Sequence, residues 1–423
     1  MTWKQITLGE ILRVKHGWAF KSEHFSDVGQ HIVLTPGNFY EEGGFKARGD
    51  KDRFYSGDYP SEYLLSKGNV IVAMTEQGEG LLGSAAIIPE NDRYLHNQRL
   101  GLVTIKNDAE ADLFFVYKLF NTQIVRQQIS GSASGAKVKH TAPERIYKCM
   151  VELPPLHLQK KIATILSAYD DLIENNLKRI KLLEEMAQIT YEEWFVRLKF
   201  HGHETMPLDS ATGLPVGWGR RSLLSVAEFL NGYAFKPEDL GENGYPVIKI
   251  KELKNGVDAS TPRNDGKHIP AKYIVNEGDI LFSWSASLEV IIWQNETGLL
   301  NQHLFKVIPN REVEKSFLYL ALKECLPIFD NLTTGATMKH IKRKELDFVK
   351  IIVPDKSILT QFDSYASSIF QSILNLNSQN RFLKEARDIL LPRLMTGMID
   401  VEQLVLPELF NHPSASMQEP QSL

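Results

Sequence analysis

Clusters of basic side chains occur at corresponding places in the two halves of the sequence, and such clusters bind phosphate groups. One cluster follows Gly135 and the other follows Gly335. Neutralising DNA phosphates releases counterions and supplies affinity that is independent of base sequence. A solvated surface would explain a single cluster equally well, but the recurrence in both halves favours DNA. The candidate phosphate-binding residues are Lys137, Lys139, His140, Lys339, His340, Lys342 and Arg343.

Adjacent amide side chains form a second class of candidates. Asn97-Gln98 in the first half corresponds to Asn301-Gln302 in the second half. An amide can bond a base edge through two atoms at once, which distinguishes adenine from the other bases. Amides in loops also often bond only the local backbone, and this alternative is the favoured one for these four residues.

Two segments differ in sequence although their flanks agree, as expected of loops that contact different bases on a common scaffold. They are residues 74–82 and 283–289, with Gln77 and Ser283 as the candidate contacts. Two matching turns end in a lysine and complete the set of predicted DNA-binding residues, with Lys21 after Gly17-Trp18-Ala19-Phe20 and Lys236 after Gly232-Tyr233-Ala234-Phe235.

Signatures of catalysis are missing from the sequence. It contains no GxxxxGK[ST] phosphate loop, no HExxH helix, no GxSxG elbow and no set of kinase motifs. The two cysteines, Cys149 and Cys325, are isolated, so we expect neither a disulfide framework nor a metal site. These absences favour a protein without catalytic residues, although an enzyme with an unrecognised active site stays open as an alternative.

The sequence elements that carry these candidates occur twice. Trp218 lies 215 positions after Trp3 (218 minus 3), and the same offset joins the two Gly-aromatic turns. The offset falls to 210 at Gly68 and Gly278, to 204 at the Asn-Gln pairs, and to 200 (335 minus 135) at the basic clusters. An ordered series of matches with a steadily shrinking offset indicates an internal duplication with length changes in loops.

Each repeat begins with a mixed domain and ends with a helix. Residues 1–153 and 201–353, the latter including a short linker, carry short apolar runs and many glycines, which predicts two α+β domains. Residues 154–200 and 354–400 change to apolar residues at steps of three and four, which predicts one long helix in each. Pro392, with Gly397 soon after it, is the predicted end of the second helix. Residues 401–423 are rich in Pro, Ser and Gln and are expected to form a flexible tail.

The two predicted helices carry a narrow apolar seam of the kind that a partner helix covers. We expect them to pack against each other as an antiparallel coiled coil. The two repeats would then be related by a pseudo-two-fold axis, so that a single chain has the approximate symmetry of a dimer. The alternative is that each helix packs separately on its own domain. The predicted seam consists of Ile162, Leu166, Tyr169, Ile173, Ile180, Leu183, Phe362, Ile369, Ile373, Leu376 and Leu383.

Length and composition agree with a folded protein of several domains. The chain has 423 residues, of which 48 are Lys or Arg and 52 are Asp or Glu, so the formal net charge is −4 and DNA contacts must be local. The N-terminus lacks the apolar core of a signal peptide, and no window is apolar enough for a membrane span. We therefore expect a cytoplasmic protein without a membrane partner.

The arrangement resembles the specificity subunits of type I restriction-modification enzymes, and the resemblance covers residues 1–400. One departure is Pro354-Asp355-Lys356-Ser357, where the first repeat has Pro154-Pro155-Leu156-His157, and it affects only local geometry. The resemblance rests on the two Gly-aromatic turns, on Leu153-Pro154-Pro155-Leu156 with Gln159 and Ile162, on Leu214-Pro215-Val216-Gly217-Trp218, and on Leu390-Leu391-Pro392-Arg393-Leu394-Met395-Thr396-Gly397.

The resemblance implies a non-catalytic subunit whose two target recognition domains each contact one half of a split DNA sequence. It implies two methyltransferase subunits that bind S-adenosylmethionine themselves, restriction subunits that join for cleavage, and no cofactor or metal in this chain. A helix of 35–40 residues is roughly 50–60 Å long, which matches one to two turns of B-DNA. Two other functions stay open, namely a stand-alone DNA-binding adaptor and a coiled-coil scaffold that binds protein.

Overall fold

The chain folds into two compact units. The computed structural model describes residues 3–78, 80–135, 138–285, 287–332, 341 and 343–404. Unit 1 consists of residues 1–172 and 383–423, and unit 2 consists of residues 173–382. Each unit therefore combines one α+β domain with part of both long helices.

The domain of unit 1 contains eleven short strands among its described residues. In chain order they are β1 (Lys4–Thr7), β2 (Leu12–His16), β3 (Phe25–Ser26), β4 (His31–Val33), β5 (Phe54–Tyr55), β6 (Leu64–Leu65), β7 (Val70–Ala73), β8 (Ala85–Ile87), β9 (Tyr94–Leu95), β10 (Leu100–Ile105) and β11 (Met150–Leu153). They form an antiparallel sheet in the order β2-β10-β7-β8, a sheet in the order β3-β5-β4-β9-β6, and the pair β1-β11.

The domain of unit 2 repeats this topology. Its strands are β12 (Gly219–Ser222), β13 (Ala227–Asn231), β14 (Tyr245–Ile248), β15 (Arg263–Asn264), β16 (Ile274–Val275), β17 (Ile280–Ser283), β18 (Glu289–Ile292), β19 (Gly298–Leu300), β20 (Leu304–Pro309) and β21 (Lys350–Val353). The sheets have the orders β13-β20-β17-β18 and β15-β14-β19-β16, with the pair β12-β21. In both units one pair of strands is parallel, β4 with β9 and β14 with β19. Each of these ten strands has a counterpart in unit 1, so the predicted duplication is visible in the structure, and β3 is the strand of unit 1 without a counterpart among the described strands of unit 2.

Helices connect the strands and join them to the long helices. The α-helices are α1 (Leu8–Ile11), α2 (Leu113–Phe120), α3 (Gln123–Gly131), α4 (Pro143–Ile146), α5 (Leu156–Tyr191), α6 (Leu223–Val226), α7 (Ile250–Asn255), α8 (Lys315–Leu332), α9 (Arg343–Phe348) and α10 (Lys356–Met395). The central strands β7 and β17 are buried along their whole length, because sheet residues on one side face helices and those on the other side face the second sheet.

Gln159 fixes the start of α5 to the domain of unit 1. Its side chain is fully buried, and its amide nitrogen donates to the carbonyl oxygens of Pro154 (2.8 Å) and Glu110 (2.9 Å). Its amide oxygen accepts a hydrogen bond from the backbone N–H of Asp112 (2.9 Å). Since all these groups are bonded, the burial of the amide carries no penalty for unsatisfied polar atoms.

The long helices α5 and α10 pack against each other in an antiparallel sense within each unit. In unit 1, Asp170 of α5 bonds Arg387 of α10 (2.9 Å). In unit 2, Asn176 bonds Asn380 (2.9 Å), and Tyr191 lies 6.4 Å from Phe362, measured between ring centroids. The pairings advance along α5 as they retreat along α10, so the prediction of antiparallel helices is confirmed. The alternative of two helices packed separately is wrong.

The predicted seam is buried. Ile162, Leu166, Ile173, Ile180, Phe362, Ile369, Ile373 and Leu376 are buried, and Tyr169, Leu183 and Leu383 are partly buried. Some of these side chains also belong to the domain cores, Ile162 and Leu166 in unit 1 and Phe362 in unit 2. The seam therefore anchors each domain to the helices as well as one helix to the other.

The ends of the long helices differ from the prediction. Pro392 does not end α10, which continues to Met395 because Leu394 and Met395 are buried in the core of unit 1 and offset the hydrogen bond that proline removes. The helix ends before Gly397, whose φ of +70° suits glycine. At its own end, α5 stops at Tyr191 and continues as one π-helical turn, Glu192–Val196.

Candidate nucleic-acid interface

In both units the Gly-aromatic turn lies directly against the Asn-Gln pair. A Cβ atom at Gly17 would lie 2.1 Å from the carbonyl oxygen of Asn97, and one at Gly232 would lie 2.2 Å from that of Asn301. The residue after each glycine is bridged to the asparagine in a parallel sense. Only glycine permits this approach. Two segments that are 80 residues apart in unit 1 (97 minus 17) and 69 residues apart in unit 2 (301 minus 232) therefore form one surface in each unit.

The asparagines stabilise this junction. The side-chain oxygen of Asn97 accepts a hydrogen bond from the backbone N–H two residues later (3.0 Å), and that of Asn301 does the same (3.4 Å). Asn301 is only 4% exposed and bonds the local backbone, which agrees with the favoured alternative for this amide. Gln98 is exposed and Gln302 is half-buried at the same junction. These glutamines, rather than the asparagines, offer amides to a ligand.

A pair of aromatic rings beside this junction escaped the sequence analysis. In unit 1, Trp18 and Tyr63 lie 5.4 Å apart, and Lys15 lies over the Tyr63 ring. In unit 2, Tyr233 and Tyr273 lie 5.5 Å apart. The signal was available, because the two tyrosines are 210 positions apart (273 minus 63), the offset of the glycines that follow them. The rings are partly exposed, and aromatic faces can pack against bases or sugars.

The predicted lysines of the Gly-aromatic turns lie at the surface. Lys21 and Lys236 are both exposed, each beside a short 3₁₀ turn. The ammonium group of Lys236 lies 3.8 Å from a carboxylate oxygen of Glu238 in an exposed pair. Such a pair is weak in water, so it leaves the lysine able to exchange its partner for a phosphate.

The loops after β7 and β17 place their predicted residues differently. Gln77 is exposed in the loop between β7 and β8. Ser283 is fully buried as the last residue of β17, and its hydroxyl donates to the carbonyl oxygen of Ser285 (3.2 Å). Ser283 is therefore not placed to contact DNA, because both faces of β17 are covered.

The basic segment of unit 1 runs alongside the β7–β8 loop. Thr75 and His140 are bridged in an antiparallel sense, and their side chains are within hydrogen-bonding distance (3.1 Å between the hydroxyl oxygen and Nδ1). The backbone N–H of Glu76 donates to the carbonyl oxygen of Lys139 (2.9 Å), and the side chains of these two residues form a weak pair at 3.9 Å. Gln77, Lys139 and His140 are thus brought together, and all three are exposed.

The corresponding segment of unit 2 has the same attachment. The backbone N–H of Ile341 donates to the carbonyl oxygen of Trp284 (3.0 Å), as that of Thr141 does to Met74 (2.9 Å). Arg343 is exposed, and together with Trp284 it lines an open groove of about 840 Å³. The predicted contacts Lys137, Lys339, His340 and Lys342 lie outside the described residues.

One histidine beneath the surface of unit 1 carries no charge at neutral pH. His96 is buried, its Nε2 atom lies 3.0 Å from the carbonyl oxygen of Leu100, and desolvation lowers its pKa to about 4. The imidazole is therefore a neutral donor to the backbone and cannot attract phosphate. Its hydrogen bond to Leu100 stabilises the backbone next to the Asn97-Gln98 junction.

The exposed groups of both surfaces are amides, ammonium groups, guanidinium groups and aromatic rings, which suit binding rather than bond cleavage. Within the described ranges, no group of three or more His, Cys, Asp or Glu side chains is arranged to hold a metal ion. Cys149 and Cys325 are buried, and desolvation raises the pKa of both thiols. No helix in the described part of the chain is long and apolar enough to cross a membrane.

Comparisons with known proteins point to one family. The family model described as the type I restriction modification DNA specificity domain matches residues 1–185 and again residues 215–378. The type I restriction enzyme MjaIX specificity subunit of Methanocaldococcus jannaschii is 28% identical over 302 residues, which cover 69% of this chain and 70% of the relative. The HindI specificity subunit of Haemophilus influenzae is 21% identical over 405 residues, covering 79% and 87%.

A solved structure shares the fold. The S subunit of a type I restriction-modification system from M. genitalium superposes with a TM-score of 0.56 at 16% sequence identity. The match covers 93% of this chain and 96% of the other. This similarity extends through both repeats, as the two matches of the family model do.

Proposed function

Because the chain belongs to the family of type I restriction-modification DNA specificity subunits, we propose that it recognises a bipartite DNA target, with one half-site for each domain. Membership confirms the resemblance seen in the sequence and makes the chain a non-catalytic DNA-recognition subunit. It also favours DNA recognition over the alternative of a scaffold that binds only protein. The proposal adds the division of the target between the two units.

The observation that carries this proposal is the contrast between a repeated topology and unrepeated loops. The strand orders of the main sheets agree between the units. The loop between β7 and β8 comprises residues 74–84, whereas that between β17 and β18 comprises only 284–288. Equal scaffolds with unequal loops are suited to two different base sequences.

Each unit offers its own set of exposed groups to one half-site. In unit 1 the exposed candidates are Lys21, Gln77, Gln98, Lys139 and His140, and in unit 2 the candidates are the exposed Lys236 and Arg343 and the half-buried Gln302. Glutamine amides can bond base edges, while lysine and arginine neutralise phosphates or bond guanine. The net charge of −4 implies that partner subunits supply part of the cationic surface around DNA.

We further propose that methyltransferase subunits dock on apolar side chains that the long helices leave exposed. Leu182, Met186 and Ile189 of α5 lie at spacings of four and three, and their exposures are 64%, 40% and 59%. Phe382 and Ile389 of α10 occupy the equivalent positions, 200 residues after Leu182 and Ile189, and are also exposed. A helical stripe of this kind fits a partner helix, and its recurrence on both helices fits two copies of one partner.

The remaining partners follow from the same proposal. The methyltransferase subunits bind S-adenosylmethionine, so this chain needs no cofactor of its own. Restriction subunits join the complex for cleavage, and the assembly acts on double-stranded DNA in the cytoplasm.

DNA binding by the chain with and without methyltransferase subunits tests the proposal. We expect the isolated chain to bind DNA weakly and with strong dependence on salt, because only a few cations face the duplex. We expect tight binding to one specific sequence when the methyltransferase is present. Tight, salt-insensitive binding of a specific duplex by the isolated chain would contradict the shared interface.

A further inference from the structure

The loop between β7 and β8 of unit 1 is held at both ends by backbone hydrogen bonds. At its base, the N–H of Gly83 donates to the carbonyl oxygen of Ala73 (2.8 Å). Along its first limb, the N–H of Glu76 donates to the carbonyl oxygen of Lys139 (2.9 Å). Gln77 follows immediately and is exposed, so its backbone position is set by the anchor that precedes it.

A second anchor lies on the other side of Gln77, at Gly80. The guanidinium group of Arg126, on α3, donates a hydrogen bond to the carbonyl oxygen of Gly80. The N–H of Gly80 donates to the carboxylate of Glu76 (3.3 Å). Both backbone polar groups of Gly80 are therefore bonded, and the exposed tip of the loop is held from two directions.

Arg126 is itself held in place. It is half-buried, and desolvation lowers its pKa while the carboxylates of Glu41 and Glu76 oppose that effect. Gly80 has a φ of +77°, and a Cβ atom there would lie 2.3 Å from a carboxylate oxygen of Glu41. Glu41 and Arg126 thus both lie close to Gly80, and the attraction of Glu41 and Glu76 favours the charged guanidinium in this half-buried place.

Unit 2 has no arginine at the equivalent position. Leu326 lies 200 positions after Arg126, as Gly335 lies after Gly135, and it packs against the apolar core. The loop beside it is six residues shorter, since residues 284–288 replace residues 74–84. A half-buried guanidinium accompanies the long loop and an apolar side chain accompanies the short one.

We propose that Arg126 is a positioning residue for DNA recognition, which fixes the β7–β8 loop so that Gln77 meets one base pair of the first half-site. The inference rests on the proposed function. An amide discriminates among bases only when its two bonding atoms have a fixed orientation, so the residue that fixes the loop determines specificity without touching DNA.

Substitution of Arg126 in the full chain, purified with its methyltransferase subunits, tests this inference. Methylation rates are measured on duplexes in which each base pair of both half-sites is varied in turn. R126L introduces the residue of unit 2. It removes the hydrogen bond to Gly80 and the positive charge that Glu41 and Glu76 attract. We expect discrimination at one base pair of one half-site to fall about ten- to a hundred-fold, the range of one bidentate amide contact.

A double-mutant cycle shows whether Arg126 acts through Gln77. Q77A should reduce discrimination at the same base pair, and R126L/Q77A should lose little more than Q77A alone. R126K retains the charge but not the planar fork, so we expect a smaller loss. If R126L does not assemble, R126K and its combination with Q77A carry the cycle instead.

The matched control is Q127L, which changes an exposed neighbour on the same helix α3 and should leave discrimination unchanged. Unaltered discrimination in R126L and R126K, equal losses at both half-sites, or additive effects of the Arg126 and Gln77 substitutions would each overturn the inference. A wild-type complex without sequence-specific methylation would instead overturn the proposed function, so the two failures are distinguishable.

Discussion

Apolar contacts join both domains to the long helices, but the domain of unit 1 adds a buried cluster of charged groups where unit 2 has apolar side chains. In unit 1, Lys118 of α2 is buried and forms an ion pair with Asp170 of α5, which also bonds Arg387 of α10. The equivalent positions of unit 2 hold Leu320, Phe370 and Ala187, and all three side chains are buried.

The same contrast recurs at two other places. His96 is buried in unit 1 where unit 2 has Leu300, and Arg126 supports a loop where unit 2 has Leu326. The strand order is nevertheless the same in both units. The two units thus share their apolar pattern and their topology, whereas these three buried or half-buried charged and titratable groups occur in unit 1 and are replaced by apolar residues in unit 2.

Removing the central carboxylate of unit 1 should have the largest effect. D170A leaves the ammonium of Lys118 buried without its partner, which costs about 3–5 kcal/mol. We expect faster hydrogen exchange in α2, with exchange in α8 of unit 2 unchanged. The control is the triple substitution K118L/D170F/R387A, which introduces the side chains of unit 2 and should restore most of the stability. A loss below about 1 kcal/mol in D170A would show that the charges are not coupled in this way.

Acidification should weaken unit 1 more than unit 2. The pKa of His96 is about 4 in the folded chain, below its ordinary value of 6.5, so the unfolded chain binds more protons between these pH values. The contribution of neutral His96 to the free energy of unfolding is therefore fully present above pH 6.5. It falls by up to about 3 kcal/mol as the pH drops to 4. Hydrogen exchange in β10 against that in β20 measures the difference. H96L, which introduces the residue of unit 2, should abolish this pH dependence, and an unchanged slope would contradict the assignment.

The helix seam of unit 2 contains the buried polar pair Asn176–Asn380, which shows what an unpaired amide costs among apolar neighbours. N176L leaves the buried amide of Asn380 without its partner and should cost about 1–3 kcal/mol. N176L/N380L should return close to the wild-type free energy of unfolding, because no buried amide is left unpaired. Urea denaturation of both variants distinguishes these outcomes, and a double variant as unstable as the single one would refute the explanation.

The smallest loss of stability is expected from removing the side chain of Lys161, which bonds the segment that follows α10 in unit 1. The ammonium group of Lys161 donates to the carbonyl oxygens of Val401 (3.3 Å) and Glu402 (2.7 Å). K161A should cost about 1 kcal/mol and accelerate exchange in residues 397–404. Q361A, at the equivalent exposed position of unit 2, should be neutral. Equal behaviour of the two variants would remove this difference between the units.

The sequence was sufficient to predict the duplication and the helix seam. Both depend on apolar residues at regular spacing, and the burial of Ile173 and Ile373 at the same offset confirms the pattern. The end of α10 was predicted wrongly at Pro392, because the burial of Leu394 and Met395 by tertiary contacts outweighs the local effect of proline. Local signals are weakest where a distant segment supplies the decisive contact.

The polar groups were much less predictable. Lys118, Asp170 and Arg387 lie far apart in sequence, and each is of a residue type that is usually found at the surface. No local sequence pattern therefore predicts that they form a buried cluster. Asn301 and Ser283 have the right chemistry to contact a base, yet the structure buries both. Exposure, which decides between a ligand contact and a structural bond, depends on the three-dimensional neighbours of a side chain.

Genome-wide mapping of methylated adenine in cells that co-express the chain with its methyltransferase tests the central claim most directly. The account predicts methylation within a motif of two specified blocks separated by a fixed number of unspecified base pairs. It also predicts that the block read by unit 1 changes in R126L while the other block does not. A single continuous motif, or methylation that is the same without this chain, would contradict recognition by two separate units.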